Sequence, residues 1–193
     1  MGDTPLTAWL GLMLYIAWAL AEGAIHARGL FQPPCPEGRR AGLTWLQTAF
    51  FGTFIVGWLD ASLVRWTTAP PAWAPVGWIG VVLVAVGLVV RLAARVTIGR
   101  NFSAFVQTFD SHQLVTTGLY RWVRHPAYTG FVGFLVGYPL CFMSLASLLV
   151  AAAIGAPALA HRIREEEHAL AGWFGEDWAR YAQQTPPLFP RLR

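Results

Sequence analysis

Before residue 100 the chain carries three runs of mainly apolar residues, roughly 5–26, 42–66 and 74–97. Each is long enough to cross a bilayer as a helix, which takes about 20 residues. Hydrocarbon offers no partner for a backbone N–H or C=O, so runs of this kind must satisfy their own hydrogen bonds and form helices. The charge content agrees: Asp, Glu, Lys and Arg make up 12% of the chain, about half the usual share of a soluble domain. Ten tryptophans suit a chain with two membrane–water boundaries. Between the runs lie two breakers, Gly29 to Arg40 with Pro33, Pro34 and Pro36, and Thr67 to Pro75 with Pro70 and Pro71 between Trp66 and Trp73. Both read as interfacial loops.

Residues 98–125 break the apolar pattern with polar and aromatic side chains, after which a second apolar stretch runs from about 126 to 161. It is too long for one span and is interrupted near Met143–Ser144. A hairpin of two short helices follows, with Pro157 bending the second. From Arg162 the chain is polar, first as an amphipathic helix and then as a tail containing Pro186, Pro187 and Pro190, expected on the membrane surface. The fold class is therefore an all-α integral membrane protein of five transmembrane helices, a single domain over 1–193. Helices 1–3 occupy 1–97, and the second half, 98–193, carries the candidate site residues other than Arg91.

All fourteen basic residues are arginines. Arg28, Arg39 and Arg40 follow helix 1, Arg91, Arg95, Arg100, Arg121 and Arg124 end or follow helix 3, and Arg162, Arg164, Arg180, Arg191 and Arg193 follow helix 5, whereas Arg65 alone falls on the other side. Cytoplasmic loops retain positive charge, so the N-terminus is expected outside, the C-terminus inside, and both polar segments at the cytoplasmic face of an inner membrane. The arginines do not build a soluble basic face, which argues against nucleic acid as partner. Asp3 and the lack of a cleavage pattern mark the first run as a retained helix. Cys35 and Cys141 show no metal or disulfide spacing and read as free thiols.

Ligand-binding chemistry concentrates in His112-Gln-Leu-Val-Thr-Thr-Gly-Leu-Tyr120-Arg-Trp-Val-Arg124-His125-Pro126-Ala-Tyr128-Thr-Gly130. Pro126 fits the first turn of a helix, whose N–H groups and positive dipole end suit the carboxylate of an amino-acid-like cofactor. The plain alternative is an interfacial loop whose His, Arg and Tyr only reach toward water. Further on, Arg162 and Glu166 lie four apart and share a helix face, either as a surface ion pair or as inward-pointing functional groups. Glu22 and Asp60 read as helix-packing or interfacial residues, and His26, His161 and His168 as interfacial rather than metal ligands, since no spacing converges on a metal. Gly80, Gly87, Gly133 and Gly137 permit close helix contact.

The ordered set Asn101-Phe102, Gln107, His112-x-Leu114-Val115, Gly118-x-Tyr120, Arg124-His125-Pro126-x-Tyr128-x-Gly130, Arg162-Ile163, Glu166-Glu167, Phe174-Gly175 and Tyr181 resembles the isoprenylcysteine carboxyl methyltransferases and their prokaryotic relatives, which are similar to phospholipid N-methyltransferases. The resemblance spans about residues 91–190. It implies a membrane enzyme that uses S-adenosylmethionine, held by Gln107, His112, Gln113, Leu114, Val115, Tyr120, His125, Pro126, Ala127, Tyr128 and Glu166. Glu166 would meet the cofactor's amino or ribose donors, and His125 with the helix start its carboxylate. Arg162, assisted by Arg91, would meet the carboxylate of an apolar acceptor that enters from the bilayer. Ala104 stands where eukaryotic members have a histidine, and Trp178 where tyrosine is usual. Methyl transfer to a carboxylate or thiol needs no catalytic triad, and none is evident. The competing readings are an NADPH-dependent membrane reductase of the sterol-reductase type and a non-catalytic membrane scaffold or small transporter.

Overall fold

The computed structural model describes residues 4–27, 41–99 and 113–191, and these are helical apart from loops and one isolated bridge between Thr68 and Ser144. Six α-helices follow in order: α1 Leu6–Ala27, α2 Ala41–Leu59, α3 Ala74–Ile98, α4 Pro126–Phe142, α5 Leu145–Val150 and α6 Ala156–Gln184. Among the described residues four stretches are long and apolar enough to cross a membrane, Leu6–Ile25, Thr44–Val64, Ala74–Ile98 and Leu145–Gln184, while Pro126–Phe142 is apolar but shorter. At 17 residues α4 rises about 26 Å.

The hairpin expected near Met143–Ser144 is present. Met143 adopts a left-handed conformation (φ 53°) that stops α4, and the Ser144 hydroxyl caps α5 by accepting from Ser147 N at 3.2 Å. The expected bend differs in detail. A π-helical turn at Ala151–Gly155 precedes α6, and Pro157 sits within the first turn of that helix. Pro157 has no N–H for the carbonyl four residues back, and the wider turn just before it absorbs the change of register. From there α6 continues past the apolar stretch to Gln184, interrupted at Gly175 (φ 51°). The polar segment after Arg162 is thus the outward extension of the last apolar helix.

Helices α3 and α4 pack backbone against backbone. A Cβ on Gly80 would lie 2.5 Å from the Cys141 nitrogen and 2.6 Å from the Gly137 carbonyl, and one on Gly87 would lie 2.6 Å from the Gly130 carbonyl. Only glycine allows that approach, the usual device where lipid supplies no hydrophobic drive between helices. Around this seam an aromatic core forms from Tyr15, Phe50, Phe54, Phe134, Tyr138 and Phe142, with Tyr15 stacked on Phe54 at 4.2 Å and Phe54 edge-on to Tyr138 at 5.3 Å. The outward face is apolar as well: Leu6, Met13 and Leu20 on one side of α1 are each more than 60% exposed. A stripe of that kind is stable against lipid tails and rare on a soluble monomer.

At one end of the bundle, buried Asp60 opens a π-helical turn, Asp60–Val64. Its carboxylate accepts from Trp66 N at 3.0 Å, Thr67 N at 3.2 Å and the Ser144 hydroxyl at 2.6 Å, and from the Thr67 hydroxyl. Thr67 in turn accepts from Ala146 N at 2.9 Å. The packing role expected of Asp60 is therefore a specific one: it ties the α2–α3 connection to the α4–α5 corner.

Candidate active site

The opposite end of α4 begins with Arg124-His125-Pro126, and the sequence folds there because Pro126 fits the first helical turn while His125 precedes it with non-helical backbone (φ −126°, ψ 62°). Tyr128 N and Thr129 N both donate to the His125 carbonyl, at 2.9 and 3.0 Å. Pro126 has no N–H and Tyr128 N is already engaged, so this helix start has fewer N–H groups for a guest carboxylate than an ordinary first turn.

Opposite stands α6. The Tyr128 hydroxyl donates to Glu166 Oε2 at 2.6 Å and accepts from Arg162 Nε at 3.2 Å. Arg162 and Glu166 share a face of α6, as their spacing requires, and a phenol from α4 joins them. Arg162 is only 2% exposed. A guanidinium held so deep near lipid is costly unless it is well paired, and such groups mark functional sites in membrane proteins.

The neighbouring Glu167 faces the other way along the same helix start. Its Oε1 accepts from Arg124 Nε at 2.9 Å and Nη2 at 2.6 Å, and lies 3.1 Å from His125 Nε2. Arg124 Nη1 also donates to the carbonyls of Ala182 and Thr185, at 2.7 and 2.6 Å. The tail is fastened to the same loop: Arg124 N donates to Pro186 O at 2.8 Å, His125 N to Pro187 O at 3.0 Å, and the Thr129 hydroxyl to Leu188 O at 2.6 Å. The segment expected as a surface tail thus braces the His125 loop, and the His125 ring is turned to Glu167.

A third cluster comes from helices α1 and α3. Glu22 Oε1 meets Arg91 Nε at 2.9 Å, and Oε2 meets Arg95 Nη2 at 2.7 Å. Arg91 also donates to the carbonyl of Ala127 at 3.3 Å and lies 5.8 Å from the Phe131 ring and 6.0 Å from that of Trp18. Between the clusters stands Tyr120, on the 3₁₀ turn Gly118–Arg121, buried with Ala94 and Ala127 and held by Tyr181, whose hydroxyl donates to the Tyr120 carbonyl at 2.6 Å. Burial above all, then the Glu166 carboxylate and Tyr181, push the Tyr120 phenol well above its ordinary value, with Arg95 and Arg91 opposing. Tyr120 is therefore a neutral donor at any physiological pH.

Of the residues singled out from sequence, Tyr120, His125, Pro126, Ala127, Tyr128, Arg91, Arg162 and Glu166 gather at this end of the bundle. Val115 packs against the Tyr120 group, Leu114 is half-buried and Gln113 is exposed. Gln107 and His112 lie outside the described residues. Glu22, Arg95, Arg124 and Glu167 take part here and carry no site role in the sequence reading. The sequence signals were an acid within an apolar helix for Glu22, an arginine one turn after Arg91 for Arg95, and a place in the motif set without a role for Arg124 and Glu167. Beside the site runs an apolar cavity of about 450 Å³ between α4, α5 and α6, lined by residues such as Val132, Leu135, Ala156, Leu159 and Ile163, with Arg164 and Leu188 at the site end.

Fold and site together define an all-helical membrane protein with a buried, arginine-rich polar layer at one end of the bundle. Residues 78–172 match the model of the isoprenylcysteine carboxyl methyltransferase (ICMT) family. It is 34% identical over 132 residues to the protein-S-isoprenylcysteine O-methyltransferase of Xenopus laevis, covering 66% of this chain and 46% of that one. With the Homo sapiens protein of the same name it shares 32% over 158 residues, covering 78% of this chain and 49% of the relative. A solved structure of the eukaryotic intramembrane Ras methyltransferase ICMT superposes with a TM-score of 0.54 at 26% identity, over 78% of this chain and 51% of that one. The chain spans about half the length of these relatives.

Proposed function

We propose that this chain is an S-adenosylmethionine-dependent membrane methyltransferase whose acceptor is the carboxylate of an apolar, isoprenylcysteine-like molecule; a thiol on a comparable apolar carrier is the second choice of nucleophile. The observation that carries the reading is the buried Arg162–Tyr128–Glu166 chain in a protein that matches this family's model. The donor set fits the cofactor: the Glu166 carboxylate suits an amino or ribose donor, and Tyr120, held neutral, keeps its phenolic O–H as a hydrogen-bond donor. S-adenosylmethionine, when bound, supplies an electrophilic methyl group.

The remaining work falls to positioning. Arg162 and Arg91 hold an anionic acceptor by charge-assisted hydrogen bonds, and the apolar cavity reaching Ile163 seats its hydrocarbon part. A carboxylate is already ionised and needs no general base. Alignment of nucleophile and electrophile contributes up to about 7–11 kcal/mol, and a site at the bilayer boundary keeps water away. The arginine distribution supports five crossings by α1, α2, α3, α4 and α5–α6, with this end of the bundle in the cytoplasm and the protein in the inner membrane.

Calorimetric titration of the purified chain with S-adenosylhomocysteine and, separately, NADPH tests the cofactor. Tight binding of the first alone is the expected result; binding of NADPH instead would return the reductase reading. Mass spectrometry of lipids labelled from methyl-tritiated cofactor, with and without the protein, then identifies the acceptor.

A further inference from the structure

We propose that Glu22 is a positioning residue for this site: a carboxylate on α1, outside the matched segment, sets the plane of the Arg91 guanidinium that orients the acceptor. The inference rests on the methyl-transfer reading. Glu22 is the only acidic residue in α1, and each of its oxygens serves a different arginine, Arg91 at 2.9 Å and Arg95 at 2.7 Å. Trp18 Nε1, one turn earlier, donates to the same oxygen that Arg91 uses, at 3.3 Å, which fixes the carboxylate in turn.

Arg91 is therefore gripped at two points by two helices, at Nε by Glu22 of α1 and at Nη1 by the Ala127 carbonyl in the first turn of α4. A guanidinium is planar, so fixing two of its nitrogens fixes the direction of the third. Ala127 precedes Tyr128, the phenol that joins Arg162 to Glu166, and the α4 backbone thus carries both arginines in one frame. Arg91 and Arg95 lie one turn apart and repel. Glu22 holds both in place because it has two equivalent anionic oxygens. Glutamine has one acceptor oxygen and a donor that faces a cation, so it serves one arginine at most.

The competing view is that Glu22 merely ties α1 to α3. A double-mutant cycle separates the two. The full chain in detergent micelles is assayed for methyl transfer from S-adenosylmethionine to an S-farnesylated cysteine with a free carboxylate, and folded protein is counted by the stoichiometry of S-adenosylhomocysteine binding. Glu22→Gln should lower kcat/KM for the acceptor by about tenfold or more, since small misplacements near reacting groups cost up to about a hundredfold. Affinity and stoichiometry for S-adenosylhomocysteine should stay within about twofold, and Glu22→Asp, which keeps the charge, should recover part of the rate. In an Arg91→Gln background, Glu22→Gln should add less than about twofold, because the two residues act as one unit. Multiplying effects overturn the proposal, as does an Arg91→Gln variant with unchanged kinetics, or a loss of binding stoichiometry that matches the loss of rate. An unsubstituted chain that binds no S-adenosylhomocysteine overturns the methyl-transfer reading itself and this inference with it.

Discussion

Helix α4 has carboxylates beside both ends, and the two ends satisfy them in opposite ways. Asp60, beside its far end, takes four bonds from neutral donors: two backbone N–H groups and two hydroxyls, all within the Asp60–Ser144 corner. Glu166 and Glu167, beside its first turn, are reached by a phenol from α4 and by a guanidinium and an imidazole from the loop that precedes it. Dipoles saturate a charge locally and close the corner to anything else. An array of guanidinium groups and phenols has donors in fixed directions, and a guest anion can share them. The far end is a staple, and the near end has the parts of a binding site.

The largest expected effect tests the near end. Arg162→Ala removes the guanidinium under Tyr128, and on the proposed reading kcat/KM for the acceptor falls about a hundredfold, near 3 kcal/mol, while the affinity for S-adenosylhomocysteine is kept. Unchanged acceptor kinetics would take Arg162 out of the site. The matching test at the far end is Asp60→Ala, which strands two hydroxyls and two N–H groups. It should cost about 3 kcal/mol of stability, read as a lower midpoint of thermal unfolding in detergent, with kcat per folded molecule unaltered. If Asp60→Ala instead lowered acceptor turnover at full folding, the division between staple and site would be wrong.

Much of this division was legible in the sequence, and the reasons differ by residue. Three of the helices follow from length and apolarity alone, and α4 and α5 from the break at Met143–Ser144, because lipid leaves such runs no other structure. Arg162 and Glu166 were visible because helical spacing puts them on one face. Glu22 was not, since its arginine partners sit 69 residues and more away and only the packing of α1 on α3 brings them together. The bracing of the His125 loop by Pro186, Pro187 and Leu188 was hidden for the same reason: backbone carbonyls carry no sequence signal. The π turn before Pro157 could be expected as a bend, yet its exact place depends on which turn can widen without losing a core contact.

A smaller effect sharpens the comparison from within the near end. Glu166→Gln keeps the shape and one acceptor oxygen for Tyr128 but removes the charge. The affinity for S-adenosylhomocysteine should drop about tenfold, near 1.4 kcal/mol, with little change in acceptor KM. The opposite split would assign Glu166 to the acceptor.

The smallest effect concerns the strap. Thr129 lies in α4 one residue beyond Tyr128, and its hydroxyl donates to Leu188 O at 2.6 Å, with a second, longer contact to the His125 carbonyl at 3.3 Å. Thr129→Val keeps the branched shape and removes that donor, a loss of about 1 kcal/mol. The tail keeps its other anchors, Arg124 N to Pro186 O and His125 N to Pro187 O, so the strap should loosen at its last residues without letting go. Hydrogen exchange should quicken around residues 188–191 by about fivefold, as local opening follows the lost bond, while protection around Asp60 and Ser144 stays the same. Because the strap grips the loop that starts α4, cofactor affinity should shift by less than a factor of about three. Faster exchange at both ends of α4 would mean that the two ends are one cooperative unit, and the staple and the site could then no longer be treated separately.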